Sequence, residues 1–427
     1  MKILTSQDPG FSRAVESVAQ RGAQPPAKVE KTVRTILEAV RRTGDQAVQA
    51  YTWKFDRVRI EPKQLRVTSR DIEEAYASLP RSDAKALKYA ANRIRTFHRR
   101  QRRKSWMHRH RGIQLGLQVT PLDAVGLYVP GGKALYPSSV LMNAIPANVA
   151  GVERIVMCSP TPSGSLHPAM LVAADLAGVG EIYRVGGVQA IGAMAFGTKT
   201  IRSVDKIVGP GNQYVATAKR LVYGQVDIDM IAGPSELLVL ADGSSNPDHV
   251  AADLLCEAEH DEEARVYLVT TSRTLAKQVA TRMAQRLETS ARRKIATNSV
   301  GRYAMAFVVS SLDQGFELAN RIAAEHLSLN IRDAMRHVPR IRHAGAIFVG
   351  RYTPPAVADY VAGPNHVLPT GGSARFFSCL SVDDYVKTSN VVAYSQAALG
   401  QARSAVARLA TLEGLDAHRK SMESRWS

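Results

Sequence analysis

From Val119 to Ile331 the chain alternates short apolar runs with amphipathic stretches, and that rhythm leaves few folds open. DAVGLYVP, RIVMCS, EIYRVGG and KIVGPG read as buried strands. Between and after them, VLMNAIPANVAG, HPAMLVAADLAGV, QAIGAMAFG and NQYVATAKRLVYG read as helices, the first interrupted at Pro146. A second block repeats the pattern: a short strand over 237–240, a helix from about His249 to Glu259 capped by Asn246 or Asp248, then RVYLVTT. A helix over 273–288, AMAFVVS, a helix over 313–325 and LSLNI complete it. Strands joined through single helices of about 10–15 residues are brought back in the same direction, so the expected class is parallel α/β. No repeat of fixed period appears, although the two blocks can be related folds.

The flanks read as helical. Val29, Val33, Ile36, Leu37 and Val40 recur at helical spacing within 25–48, and residues 69–104 continue in helix from a possible Ser69 cap, with a break at Pro80. The chain turns helical again beyond Leu380. With 427 residues there is chain for roughly three units at about 150 residues each. The expected division is an N-terminal extension over 1–24, a discontinuous α/β domain over 25–127 and 237–378, a second α/β domain over 128–236, and a tail over 379–427.

A formal charge of +18 stands out, and half of it lies in Arg93–Arg111, which holds nine Lys or Arg and no acid. Nucleic acid, a membrane surface or an anionic ligand would be attracted to such a run; a solvated face is the plainer reading. Met1–Phe11 lacks an apolar core of a leader, and no run approaches the length of a membrane span, so a soluble cytoplasmic protein without a membrane partner is expected. Cys158, Cys256 and Cys379 are too few and too scattered for a disulfide framework.

The chemistry-bearing residues gather in a few places. In IDMIAGPSELLVLADGSSNPDHVAADLLCEAEH, the turn AGPSE presents Ser235 and Glu236. On the following helix Asp253, Glu257 and His260 fall at i, i+4 and i+7, a face that suits either Zn²⁺ or solvent. Three Gly-rich turns follow strands, VPGGK, VGGVQAIG and VGPGN; each offers backbone N–H groups to a phosphate, and none is the usual dinucleotide fingerprint. Glu325-His326, at a helix end before a strand, pairs a carboxylate with a proton acceptor. DYVAGPNHVLPT, from Asp359 to Thr370, is a loop rich in functional groups, and EGLDAH brings Glu413 and His418 close to the terminus.

Taken together and in this order, IDxxAGPSE with AEH, GLYVPGG, GGVQAIGAMAFG, GPGNQYV, AEHLSLNI, DYVAGPNHVLPT and EGLDAH resemble the histidinol dehydrogenase family over nearly the whole chain. The resemblance implies two incomplete Rossmann-like domains with small helical extensions at both ends, and a zinc- and NAD-dependent oxidation of L-histidinol to L-histidine. It implies zinc ligands Glu257, His260, Asp359 and His418, a catalytic pair Glu325 and His326, and substrate contacts from Ser235 and Glu413 as well as from the metal ligands and His326. His366 would lie near the substrate. NAD would meet Tyr128, Gln189 and Asn212. A homodimer is implied, with Glu413 and His418 completing the partner's site.

Two departures are visible. Glu257 stands where the family has Gln, which alters the charge of a zinc site but not its competence. Cys256 stands where Ser or Ala is usual; it lies about 100° round the helix from Glu257 and reads as a small buried residue. Two alternatives remain on the sequence alone: oxidation of another primary alcohol on the same fold, or nucleic-acid binding through residues 93–111.

Overall fold

The computed structural model describes residues 1–22, 27–131, 135–162 and 164–426. Pro25, where the first long helix was expected to begin, and Gly132 to Ala134 of the VPGGK turn lie outside them. The chain forms two compact units, Met1–Gln101 with Leu122–Tyr385, and Arg102–Pro121 with Val386–Ser427.

The first unit holds two parallel sheets, as the alternation requires. One contains, from edge to edge, Glu181–Tyr183, Arg154–Cys158, Ala124–Tyr128, Lys206–Val208 and Asp227–Ile228. Numbered along the chain, that is 3-2-1-4-5. The other contains Lys2–Thr5, Met305–Val308, Arg265–Thr270, Glu236–Ala241, His326–Asn330 and Ala346–Val349. Without its N-terminal edge strand it too runs 3-2-1-4-5. The two blocks therefore share a topology although their sequences do not repeat.

Burial explains the strands' composition. Every residue of Ala124–Tyr128 and of Glu236–Ala241 is buried, because helices cover both faces of each sheet. The helices Ala27–Thr43 and Asp45–Asp56 place Val33, Val40 and Val48 in one core with Ile191 and Val215. They thus belong to the five-stranded sheet rather than to the 237–378 block with which they were grouped. Nor is the N-terminus an appendage: Lys2–Thr5 pairs in parallel with Met305–Val308, and Phe11 packs edge-on against Phe307 at 5.6 Å.

The helix Pro137–Ala150 runs unbroken through Pro146, contrary to the expected interruption. Proline supplies no N–H to the carbonyl four residues back. Here the side chain of Asn365 donates to that Met142 carbonyl at 2.6 Å, and the Tyr385 hydroxyl donates to Asn143 O at 2.8 Å. Tertiary partners replace what the helix cannot provide.

In the second unit the sequence reading missed a sheet. Trp106–His110 and Ile113–Pro121 form a hairpin around Arg111 and Gly112, both at positive φ as a two-residue turn demands. Val386–Tyr394 pairs antiparallel with Ile113–Pro121, so the C-terminal segment opens with a strand before its helices Gln396–Leu412 and Asp416–Glu423. Trp106–His110 is exposed along its whole length and shows no buried alternation to betray it. No helix among the described residues is long and apolar enough to cross a membrane.

Candidate active site

The titratable cluster sits at the amino edge of the six-stranded sheet, where the strand order reverses. Glu236 and His326 are the first residues of neighbouring strands, with His326 in register with Leu237. The helix Pro247–Ala258, capped by the Asn246 side chain, returns from the opposite edge and ends beside them. Its last turn delivers Glu257, and His260 follows just past the helix end. The expected i, i+7 geometry therefore stops short at Ala258, yet Glu257 and His260 still meet. Asp253 does not join their group, and burial alone raises it to about 6.

Glu257 is 2% exposed and bridges two imidazoles. Its Oε1 lies 3.1 Å from His260 Nδ1 and its Oε2 lies 3.2 Å from His326 Nδ1. Glu325 Oε2 stands 3.7 Å from the same His326 nitrogen and accepts the backbone N–H of Glu236 at 2.8 Å. His326 Nδ1 also faces the Glu236 carbonyl at 3.1 Å, and its ring stacks on Phe348 at 5.6 Å between centroids. Glu325 was expected at a helix end; the helix Leu312–Ile322 stops earlier, and Ala323 turns the chain at φ 51.

Burial and charge oppose each other throughout. Burial pushes Glu325 up to about 8, helped by the nearby Glu257 and resisted by His326. Burial would lower His326, but the carboxylates of Glu257 and Glu325 outweigh it and hold the ring at about 10. His260 is likewise held at about 9 against its own burial by Glu257. Burial would raise Glu257, but the two imidazoles keep it well below the ordinary carboxylate range.

Asp359, on the short helix Pro355–Tyr360, is raised by burial and by Glu257, against the pull of His326 and His260. His366 is half-buried and is lowered to about 4 by burial, with the charges of His326 and His260 adding to it. Ser235, half-buried, directly precedes Glu236; its carbonyl accepts Arg265 N, while Thr370 Oγ1 accepts the N–H of Gly233 in the same turn.

The donor atoms of Glu257, Glu325 and His326 lie within 4.8 Å of one another, the one such group among the described residues. The buried Glu257 raises both Glu325 and Asp359 beside imidazoles, donor chemistry that a divalent cation relieves, so the residues fit a metal, although of the expected ligands only Glu257 belongs to this group. Glu413 and His418 belong to the second unit, where they are exposed at the end of Gln396–Leu412 and in the first turn of Asp416–Glu423. Cys256 is half-buried rather than buried; burial and the surrounding carboxylates push its thiol up to about 12, which makes it a poor nucleophile.

A second set of residues gathers at the carboxyl edge of the five-stranded sheet, again where the strand order reverses. The Tyr128 hydroxyl accepts the N–H of Gly187 at 3.1 Å, and burial raises it to about 12. Gln189, in the first turn of Gly187–Phe196, is 1% exposed and its Oε1 has no hydrogen-bond partner among the described residues. Asn212 caps Gln213–Val222 with Oδ1, which accepts from Tyr214 N and Val215 N. Gly209 sits at φ 111, where a Cβ would run into the Tyr128 carbonyl oxygen, so the turn admits only glycine. An open parallel sheet binds its ligands in this crevice.

The two edges are joined by a short link. Asp229 to Ser235 connects the last strand of the five-stranded sheet to the first of the other, a span under about 30 Å even when fully extended. Lys219, 2% exposed, pairs with Asp229 Oδ1 and donates to Gly209 O at 2.8 Å. Asp229 Oδ2 accepts Gly209 N at 2.8 Å, so the link and the glycine turn are held as one piece. The sequence reading overlooked this pair, and also Arg21, whose guanidinium makes a two-pronged contact with Glu236. An acid opening the apolar strand ELLVLA was the one visible hint of the latter.

The chain as a whole is similar to known proteins. A profile of the family described as Histidinol dehydrogenase matches residues 19–426. The histidinol dehydrogenase of Syntrophotalea carbinolica is 50% identical over 426 residues, covering 100% of this chain and 99% of that protein. That of Geobacter sulfurreducens is 50% identical over 427 residues, covering 100% of both. The crystal structure of histidinol dehydrogenase from Elizabethkingia anophelis superposes with a TM-score of 0.94 at 35% identity, covering 100% of this chain and 98% of that one.

Proposed function

Because this chain belongs to the histidinol dehydrogenase family, we propose that it oxidises L-histidinol to L-histidine through bound L-histidinaldehyde, reducing two NAD⁺. It is an NAD-dependent oxidoreductase of histidine biosynthesis that uses a metal. Neither rival drawn from the sequence is favoured by this membership.

The observation that carries the reading is the buried Glu257–His326–Glu325 group at one end of a short link whose other end holds the nucleotide turns. His326 is the base for the alcohol. The Glu236 carbonyl can only accept, so Nδ1 carries a proton; a cation held by the neighbouring carboxylates would offset the charge that keeps the ring near 10 and leave Nε2 its lone pair for the substrate. As the alcohol proton passes to His326, hydride leaves the carbinol carbon for the first NAD⁺. Water then adds to the aldehyde with Glu325 taking a proton, and a second hydride leaves for the second NAD⁺. A buried carboxyl held near 8 can both take and release protons at neutral pH.

Glu257, His260 and Asp359 would hold Zn²⁺, with His418 as the fourth ligand. The ion would supply Lewis-acid anchoring of the substrate's imidazole and amino nitrogens, keeping the aldehyde in place between steps. Ser235, His326 and Glu413 position the substrate; Tyr128, Gln189 and Asn212 contact NAD. Glu413 and His418 serve the partner's site in a homodimer. Exposed Trp106, Val392, Leu409 and Leu412 give the second unit the apolar surface that such a dimer would cover. We assign the six-stranded sheet the catalytic role, the five-stranded sheet the nucleotide, the second unit dimerisation, and the cytoplasm as location.

The test is stoichiometric. L-Histidinol with excess NAD⁺ should yield two NADH per histidine without free aldehyde, and chelation should abolish a rate that Zn²⁺ restores. One NADH per turnover with accumulating aldehyde would refute the reaction.

A further inference from the structure

Arg21 has no part in the chemistry above, yet it is built into its foundation. Its side chain is 3% exposed and that of Glu236 is 1% exposed. Nε and Nη2 each donate to a different Glu236 oxygen at 2.5 Å, while Nη1 donates to the carbonyls of Val18 at 2.6 Å and Ile322 at 2.8 Å. A buried ion pair seldom adds stability over an apolar pair of the same shape, so its place beside the reactive groups calls for another reason.

Glu236 supplies that reason through its backbone. Its N–H donates to Glu325 Oε2, and its carbonyl faces His326 Nδ1. One peptide segment thus orients the carboxyl and, with Glu257, the imidazole ring. Ile322 ends the helix that leads, through the turn at Ala323, into Glu325. Arg21 therefore clamps both sides of the pair: the strand that holds it and the turn that carries it. We propose that Arg21 and Glu236 are positioning residues, whose ion pair fixes the orientation of the Glu325 carboxyl and of the His326 ring. The proposal rests on the roles given to His326 and Glu325 above.

A planar fork is needed, because a lysine ammonium cannot meet two carboxylate oxygens and two carbonyls at once. Misplacement by about 1 Å is enough to cost on the order of a hundredfold in rate.

The decisive variant replaces both partners, Arg21→Met with Glu236→Leu, so that no unpaired charge is left buried. Its Tm should fall by no more than about 5 °C, since the buried pair is not a net stabiliser. Its kcat should fall about 10–100-fold with KM for histidinol within about threefold. Arg21→Lys, which keeps the charge pair and the fold, should lose about 5–30-fold in kcat with the same split. Full activity in either variant overturns the proposal, as does a rise in KM for histidinol as large as the fall in kcat. His326→Ala is assayed alongside: if it stays active, the role of His326 is what fails, whereas an inactive His326→Ala beside a fully active double variant rejects the clamp alone.

Discussion

The two parallel sheets share one strand order and use opposite ends of it. In the five-stranded sheet, Tyr128, Gln189 and Asn212 lie at the carboxyl edge, where helices begin and N–H groups point outward. In the six-stranded sheet, Glu236, Glu325 and His326 lie at the amino edge, where the helices carrying Glu257 and Ile322 end. Helix starts carry partial positive charge and favour phosphate; helix ends carry partial negative charge and favour cations. The short link from the carboxyl edge of one sheet to the amino edge of the other would join the proposed nucleotide site to the proposed metal site. Each reversal is fastened by one buried ion pair, Lys219 with Asp229 on one sheet and Arg21 with Glu236 on the other.

If the division of labour is real, substitutions at the two edges should fail in different ways. His326→Ala should lower kcat for histidinol by about 10²–10⁴-fold, as loss of a general base does, and leave KM for NAD⁺ nearly unchanged. Gln189→Ala should do the converse, raising KM for NAD⁺ with a smaller effect on kcat. Steady-state kinetics with both substrates varied would show it, and a Gln189→Ala enzyme with unaltered NAD⁺ affinity would break the comparison.

Next in size is the fastening of the five-stranded sheet. Lys219→Met leaves Asp229 charged and buried, which costs about 3–5 kcal/mol when a buried partner is removed. Denaturant unfolding should register that loss, and Lys219→Met with Asp229→Leu should recover most of it. A double variant as unstable as the single would mean that the pair stabilises in its own right.

How much of this was legible in the sequence depended on whether a residue's role was local. The βα alternation is a local signal, and the strands and helices read between Val119 and Ile331 followed from it, whereas Lys2–Thr5, Asp227–Ile228, Arg293–Tyr303 and Ala346–Val349 were not read. Glu257, His260, Glu325 and His326 stood out because their neighbours in the chain formed motifs. The hairpin Trp106–His110 with Ile113–Pro121 was missed because it is mostly exposed, so its side chains show no alternation of burial. Arg21 was invisible because its partner is 215 residues away. Pro146 misled for the same reason: the acceptor it frees is met by Asn365, 223 residues from Met142.

That last contact ties the two regions together, since Met142 belongs to the helix after the first strand of one sheet and Asn365 to the loop beside the other's site. Asn365→Ala should cost about 1–3 kcal/mol by leaving a buried carbonyl unpaired. Pro146→Ala restores an N–H within the helix, so the double variant should regain stability in thermal melts. Equal losses in the single and double variants would show that Asn365 acts elsewhere.

The smallest expected effect concerns the charge of the cation edge. As a carboxylate, Glu257 offers one oxygen to His260 Nδ1 and the other to His326 Nδ1. An amide has one acceptor oxygen and an NH₂ that repels an imidazole N–H, so Glu257→Gln must give up one of the two contacts. With Asp359 then the only anionic ligand of the proposed set, Zn²⁺ should be held more weakly, by about tenfold, in competition with a chromogenic chelator. A site left with more positive charge should draw neutral nitrogen ligands more strongly, so the zinc-saturated variant should bind histidinol at least as well as the parent. Glutamate at this position would then make the amino edge a tighter metal site and a slightly weaker substrate anchor. Zinc affinity unchanged by the substitution would mean that Glu257 only orients the two imidazoles and that the cation is held by the other donors.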